Sequence, residues 1–521
     1  MSSEKASLPM MAVANLNRDA DSRIFNWKQF LKFFLTLAIV YIWGSIYPLS
    51  SLIGIRRDVT PPLGIPKKIQ KHWGQYAPWF PVEKYKRPPK GCEITQVNIL
   101  QRHGARYPNS YDSYDESIKR LMEADKFVDS KLDFLSEYEY DLEEEELLPF
   151  GASQSFGSGE TVFRRYSHLV NAKNIPFVRS SGKSRAIHSA TNWTVGTPLK
   201  CLRFTTPSEH RHDPGIGFAA ASHHRYNPIL SVVVPEEQNN TLNNDCPNAG
   251  DGTKQKRAWL KVFAPPIAKR LEKAAPGAKV SNDDVFNLMA MCSFETLAKE
   301  RGSEFCQLFK DREFKMFGYH GDVEKFYKTG YGEPLGPVQG VGYVNELLAR
   351  LTGRPVQDHT QYNSSLPFPL GRSLYVDFTH ENLMVAVYSA MGLFNISDNP
   401  LSTKKMEKES NRVWIASKMV PFSSRMVVER LTCSGRKKMH GPKLVDFDDE
   451  DWEDEHEHEH EESEGGGRQA GEHVRVLVND AVQPLDFCHA GKGGICSLDA
   501  FVESQDYARR SGDGDFEKCY N

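Results

Sequence analysis

Apolar positions along this chain gather in three short runs, and each run empties into polar and charged residues. The first, Glu93 to Leu100, carries Ile94, Val97, Ile99 and Leu100 and reads as a strand that leads into Arg102-His103. The second, Pro176-Phe177-Val178, leads through Arg179-Ser180-Ser181-Gly182-Lys183-Ser184 to Arg185. The third, Ser373 to Phe378, leads into Thr379-His380-Glu381-Asn382, and an apolar helix over Leu383–Leu393 follows. Helical spacing is also expected over Ser117–Val128, Trp259–Ala274, Asp283–Met291 and Gly342–Leu351. Strand, polar turn and helix thus recur three times. That order predicts an α/β fold with its chemistry at the C-terminal ends of the strands. The stretch 195–350 reads as mostly helical and is expected to form an inserted cap.

A longer apolar run, Phe33 to Ile55, has the length of a bilayer span. The polar segment before it is longer than a signal-peptide n-region, and no A-x-A-like site follows. An uncleaved signal anchor over 30–55 is expected, with a cleaved signal and a secreted body as the alternative. Residues 1–29 are then a disordered cytosolic tail, and 56–91, rich in Pro and Lys, a stem. Basic residues flank the run on both sides, so charge does not set its orientation. Four N-x-S/T sequons, at Asn192, Asn239, Asn363 and Asn395, all follow it and favour an extracellular or luminal body.

At 521 residues the chain suits two domains, and its net charge of −3 offers no electrostatic case for nucleic acid. Nine cysteines without C-x-x-C spacing agree with an oxidising compartment, although spacing alone does not give their connectivity. The segment 446–467 alternates His with Glu and reads as a solvated, disordered loop; no metal geometry follows from it.

The chemistry concentrates in Arg102-His103-Gly104-Ala105-Arg106-Tyr107-Pro108. Imidazole can carry a phosphoryl group covalently. Arginine forks match phosphate oxygens two at a time and keep their charge at any working pH. Gly104 is expected to bring the backbone close to an oxyanion, and Pro108 to fix the exit from the turn.

These residues follow the pattern R-H-G-x-R-x-P, and the chain resembles the histidine acid phosphatases, in their fungal phytase-like branch. The resemblance covers roughly 70–521 outside the acidic loop. It includes Met291-Cys292-Ser293-Phe294, Phe305–Phe309, Gly336–Gly340, Asn345–Thr352 and Pro355–Thr360.

The resemblance implies a phosphoglycerate-mutase-like fold: a large α/β domain, formed by 92–194 and 351–521, with a central sheet flanked by helices, and the smaller helical cap of 195–350. It implies His103 as nucleophile and Glu381 as proton donor. Arg102, Arg106, Arg185 and His380 would bind the phosphate, Arg179 would be structural, and Lys315 and Lys325 would approach the substrate. No metal or other cofactor is expected. Disulfides Cys92–Cys433, Cys246–Cys519, Cys292–Cys306 and Cys488–Cys496 are implied, leaving Cys201.

The implied activity is phosphomonoester hydrolysis through a phosphohistidine, on phytate (inositol hexakisphosphate) or a simpler ester. A broad-specificity acid phosphatase is the first alternative. A mutase-like phosphotransferase and a catalytically silent inositol-phosphate-binding surface protein are the others. Two departures bear on the choice. The family has His-Asp-Asn where this chain has His380-Glu381-Asn382, and the segment after Pro108, often Lys-rich in the family, carries Asp112, Asp115 and Glu116. Acids there are expected to disfavour a polyanion.

Overall fold

The computed structural model describes residues 63–110, 113–195, 217–434, 470–491 and 493–521. The tail, the apolar run, Cys201 and the acidic loop lie outside the described residues. Among the described residues, no helix is long and apolar enough to cross a membrane.

The described body is built on a mixed sheet. Its strands are β1 (Cys92–Arg102), β2 (Phe177–Ser181), β3 (Leu230–Val234), β4 (Leu374–Thr379), β5 (Arg425–Cys433), β6 (Gly471–Val478), β7 (Ala481–Val482) and β8 (Ile495–Ser497). The order is β3-β2-β4-β1-β5-β6-β7, with β8 also paired to β6. The strands β3, β2, β4 and β1 run parallel, whereas β5 and β6 are antiparallel to their neighbours. The inner parallel strands β2 and β4 are buried along their whole length, so they do not read as clean alternation, whereas the edge strand β3 alternates. In β4 every residue is buried: Leu374, Val376 and Phe378 enter one apolar cluster and Tyr375 the other.

The longer helices are α1 (Tyr114–Met122), α2 (Pro149–Tyr166), α3 (Ser184–Thr194), α4 (Thr253–Ala274), α5 (Asn282–Lys299), α6 (Asp311–Lys328), α7 (Val341–Thr352) and α8 (Glu381–Ala390). Helices α4, α5 and α6 pack on one another. The expected helical stretch 195–350 needs correction at both ends. Its described part contains β3, a strand of the main sheet. Helix α7, at its other end, packs on α8 and the sheet: Gln96 of β1 donates to the Arg350 carbonyl at 3.0 Å, and Arg350 reaches Asp377 of β4 at 2.5 Å. Length and helical spacing could not separate helices that cover the sheet from helices that pack on each other.

Among the described residues four disulfides link the body: Cys92–Cys433, Cys246–Cys519, Cys292–Cys306 and Cys488–Cys496. The first joins directly opposed residues of β1 and β5. Of the sequons, Asn239 and Asn395 are exposed, and Asn192 and Asn363 partly so.

Candidate active site

Register sets the site. Arg102 of β1 pairs with Thr379 of β4, and Ser180 of β2 pairs with Phe378, so three parallel strands end level with one another. The residues that follow, His103, Gly182 and His380, therefore leave the sheet at one height. His103 is held from both sides: its N–H donates to the Thr379 carbonyl at 3.0 Å, and its carbonyl accepts from the Ser423 N–H at 2.9 Å.

The side chain of His103 is only 1% exposed, and its Nδ1 lies 2.8 Å from the Gly104 carbonyl oxygen. A carbonyl only accepts, so Nδ1 carries the proton and Nε2 keeps the lone pair. Burial, reinforced by Arg102 and Arg185, holds this imidazole well below its usual range. It therefore keeps its lone pair further into acid than an ordinary histidine does.

The expectation for Gly104 is corrected here. Its N–H donates to Ser189 Oγ at 3.0 Å, and the next N–H, of Ala105, to Gln154 Oε1 at 2.9 Å. Neither is available to an oxyanion. Glycine is required because α2 crosses the loop: a Cβ on Gly104 would meet the Gly151 carbonyl oxygen at 2.2 Å, and one on Gly151 would meet the Ala105 oxygen at 2.1 Å. Charge on a bound phosphate must then be met by side chains.

Three arginines converge. Arg102 is fully buried, anchored by Nη1 to the Val420 carbonyl at 2.8 Å and stacked 4.4 Å above the Phe422 ring. Arg106 donates to the Tyr107 carbonyl at 2.6 Å, and Arg185, in the first turn of α3, to Glu145 Oε2 at 3.3 Å. The Nε of each is buried yet donates to no protein acceptor. Burial lowers the Arg102 guanidinium to about 10, Glu381 opposing and Arg106 adding to the shift. Arg185 is likewise lowered by burial and by Arg106. Both remain charged at neutral pH and below. Such a group of clustered cations with unused donors matches a phosphate dianion.

His380 sits at the N-cap of α8, its ring centroid 5.4 Å from that of His103. Burial, then Arg185, lowers it to about 3. Glu381 lies between two cations, 3.0 Å from Arg102 Nη2 and 3.4 Å from Lys325 Nζ. Burial pushes its carboxyl up, but Arg102 and then Lys325 outweigh that and hold it well below the usual carboxylate range. Lys325, 2% exposed on α6, also donates to Asn382 Oδ1 at 2.8 Å, and burial lowers its ammonium.

Other sequence-derived candidates are placed elsewhere. Lys315 is exposed and sits among Asp311 and His72, ten residues and roughly 15 Å of helix before Lys325. Arg179 is buried between Glu346 Oε2 at 2.6 Å and Asp377 Oδ1 at 2.7 Å, a bracing role within the fold. Asp115 and Glu116 occupy the first turn of α1, paired with Lys119 at 3.1 Å and Arg120 at 3.6 Å, and Asp112 lies outside the described residues. Of the acids downstream of Pro108, Glu145 reaches the site, on Arg185, and its neighbour Glu146 accepts from Ser184 at 2.8 Å. Sequence reasoning missed them. The run Asp141-Leu142-Glu143-Glu144-Glu145-Glu146 before Pro149 was the available signal.

Known proteins similar to this chain bear on its family and fold. The family model described as histidine phosphatase superfamily (branch 2) matches residues 93–479. Phytase A of Emericella nidulans is 35% identical over 470 residues, covering 86% of this chain and 90% of that protein. Phytase A of Aspergillus fumigatus is 35% identical over 515 residues, covering 94% and 99%. The crystal structure of the phytase from D. castellii shares the fold, with a TM-score of 0.64 at 21% identity, over 87% of this chain and 88% of that one.

Proposed function

Because the chain belongs to the histidine phosphatase superfamily, branch 2, and is a phytase-like hydrolase, we propose that it cleaves phosphomonoesters, phytate among them, through a phosphohistidine on His103. The observation that carries this reading is the buried His103, its Nδ1 turned to the Gly104 carbonyl so that Nε2 keeps its lone pair, among three arginines whose Nε groups lack protein acceptors.

In the first step Nε2 attacks phosphorus and the bond to the ester oxygen breaks. Arg102, Arg106, Arg185 and His380 take the equatorial oxygens, and Glu381 gives its proton to the leaving alcohol. In the second step water attacks the phosphohistidine, Glu381 takes the proton back, and phosphate leaves with His103 restored. Glu381 is ionised while Arg102 and Lys325 face it. A bound phosphate engages Arg102 and adds negative charge, and both effects raise the Glu381 carboxyl toward its protonated form. Positive charge comes from side chains throughout.

A second reading, a broad acid phosphatase, is favoured by Glu145. Its carboxylate at the Arg185 side of the site opposes the outlying phosphates of a hexaphosphate more than it opposes a simple ester. The disulfides and exposed sequons support an extracytoplasmic body, and the apolar run 33–55 supports its attachment to a membrane.

Phosphate release from phytate and from p-nitrophenyl phosphate, compared from about pH 3 to about pH 7, tests the substrate choice. A kcat/KM favouring phytate supports the phytase reading, and a preference for the simple ester supports the broad one. His103→Ala should abolish both. Residual turnover above about a thousandth of wild type would remove His103 from the nucleophile's role.

A further inference from the structure

Behind His380 lies a chain of polar groups that the mechanism above does not use. Ser181, the last residue of β2, is fully buried, and its Oγ lies 3.1 Å from His380 Nε2. The same hydroxyl donates to Glu236 Oε1 in a short hydrogen bond. Glu236 lies two residues beyond β3, and its other oxygen accepts from Asn243 Nδ2 at 2.7 Å. Gly182 leaves room for it: a Cβ there would be 3.1 Å from Glu236 Cγ.

Donor counting fixes the direction of this chain. A carboxylate only accepts, so the single hydroxyl proton of Ser181 goes to Glu236. The Ser181 oxygen then accepts from His380, which places a proton on Nε2. Nδ1 remains as the nitrogen available to a phosphate oxygen. The oxygens of a phosphate dianion only accept, so His380 carries both protons when it donates from Nδ1 to the dianion.

The surroundings oppose that charge. Facing His380 are Arg102 and His103 from the end of β1, Arg106 from the following loop and Arg185 from α3. Glu381 on its own helix favours the charge, and so does Glu236 through Ser181.

We propose that Glu236, acting through Ser181, is a positioning residue that orients His380 with Nε2 toward Ser181 and supports its imidazolium form when phosphate binds. The proposal rests on the reading that His380 meets the phosphate. It belongs to the same class of device as the carboxylate partners that orient metal-bound or catalytic histidines.

The test is the affinity for inorganic phosphate as a function of pH, in the full chain and in Glu236→Gln, Ser181→Ala, His380→Ala and the double variant His380→Ala/Glu236→Gln. Glu236→Gln keeps the shape and removes the charge. It should move the alkaline limb of phosphate binding down by about one pH unit, weakening affinity about tenfold on that limb. Ser181→Ala should move the limb the same way, and so reports even if the Glu236 variant folds poorly. In the His380→Ala background Glu236→Gln should have no further effect. An equal loss in both backgrounds, or an unmoved limb in both single variants, would make the chain a structural brace and overturn the proposal. Unchanged phosphate affinity in His380→Ala alone would overturn the underlying reading instead.

Discussion

Glu145 Oε2 lies 3.3 Å from Nη1 of Arg185, so one arginine of the proposed phosphate site is already matched by a carboxylate of the protein itself. Glu145 has a left-handed backbone, with φ of 59°, and its N–H donates to the Pro108 carbonyl at 2.7 Å. Its position is thereby tied to the loop that carries His103 and Arg106. A substrate phosphate must compete with this pair, and further phosphates on one ring must approach the same carboxylate. Glu145→Gln should therefore raise kcat/KM for phytate by about 3- to 10-fold and for p-nitrophenyl phosphate by less, the gain shrinking as salt is added. Parallel rates on the two substrates check this. Equal gains would make Glu145 a competitor for Arg185 only, with no part in substrate choice.

Glu381 is expected to show its role through the leaving group. The inositol oxygen of phytate leaves as a poor alkoxide that needs a proton, whereas p-nitrophenolate needs little. Glu381→Gln should slow phytate hydrolysis by about 10²- to 10⁴-fold and p-nitrophenyl phosphate by much less. The protonation argument adds a second readout. Arg102 and Lys325 hold the Glu381 carboxyl well below its usual range, and in the proposed mechanism it gains a proton when phosphate engages Arg102. Net proton uptake on phosphate binding, measured calorimetrically in buffers of different ionisation enthalpy, should thus be smaller in Glu381→Gln than in wild type. Equal slowing of both esters would remove the acid role.

The contact between Gly104 and Gly151 holds the His103 loop against α2. Gly151→Ala places a methyl group 2.1 Å from a backbone oxygen, and backbone cannot yield as a side-chain tip does. A loss of about 1–3 kcal/mol is expected, together with a kcat lowered more than tenfold, because misplacement near an ångström is costly in a phosphoryl-transfer site. Gly371→Ala, where a Cβ meets nothing within 4 Å, serves as the control and should change neither Tm nor kcat.

His320 offers a prediction about acid stability. It is buried on α6 against Phe286, with ring centroids 4.6 Å apart, and burial lowers it to about 4. Its folded value lies below the unfolded one, so the unfolded chain binds the extra proton first as pH falls. The protein should lose stability through this residue between about pH 6.5 and about pH 4, at up to about 1.4 kcal/mol per pH unit. His320→Phe should flatten that part of the stability profile, whatever it does to stability near neutrality. Denaturant melts at several pH values check it, and an unchanged slope would remove His320 from the acid response.

Much of the site can be read in the chain because its chemistry is local. A strand, its last residues and the turn beyond it are contiguous, so Arg102-His103, Ser181 to Arg185 and His380-Glu381 each mark a strand end in their own short segment. Periodicity marks the helices for the same reason, although their ends shifted, as where α4 begins at Thr253 and not at Trp259. Residue type also leaves no electrostatic case for a nucleic-acid partner and points to an oxidising compartment through cysteine use.

Tertiary structure alone decided which of those groups face one another and in what protonation state. Strand register brings three strand ends level, and no pattern within a single segment encodes register between distant ones. The proton on His103 Nδ1 depends on one carbonyl orientation, the ionised Glu381 on two cations from β1 and α6, and the Ser181–Glu236 link on how closely Gly182 packs. Lys325 reaches Glu381 and Asn382, whereas Lys315, ten residues earlier on the same helix, lies beside Asp311 and His72. The acids after Pro108 drew attention by adjacency in sequence, yet the carboxylate on Arg185 comes from Glu145, 40 residues away and placed by folding alone.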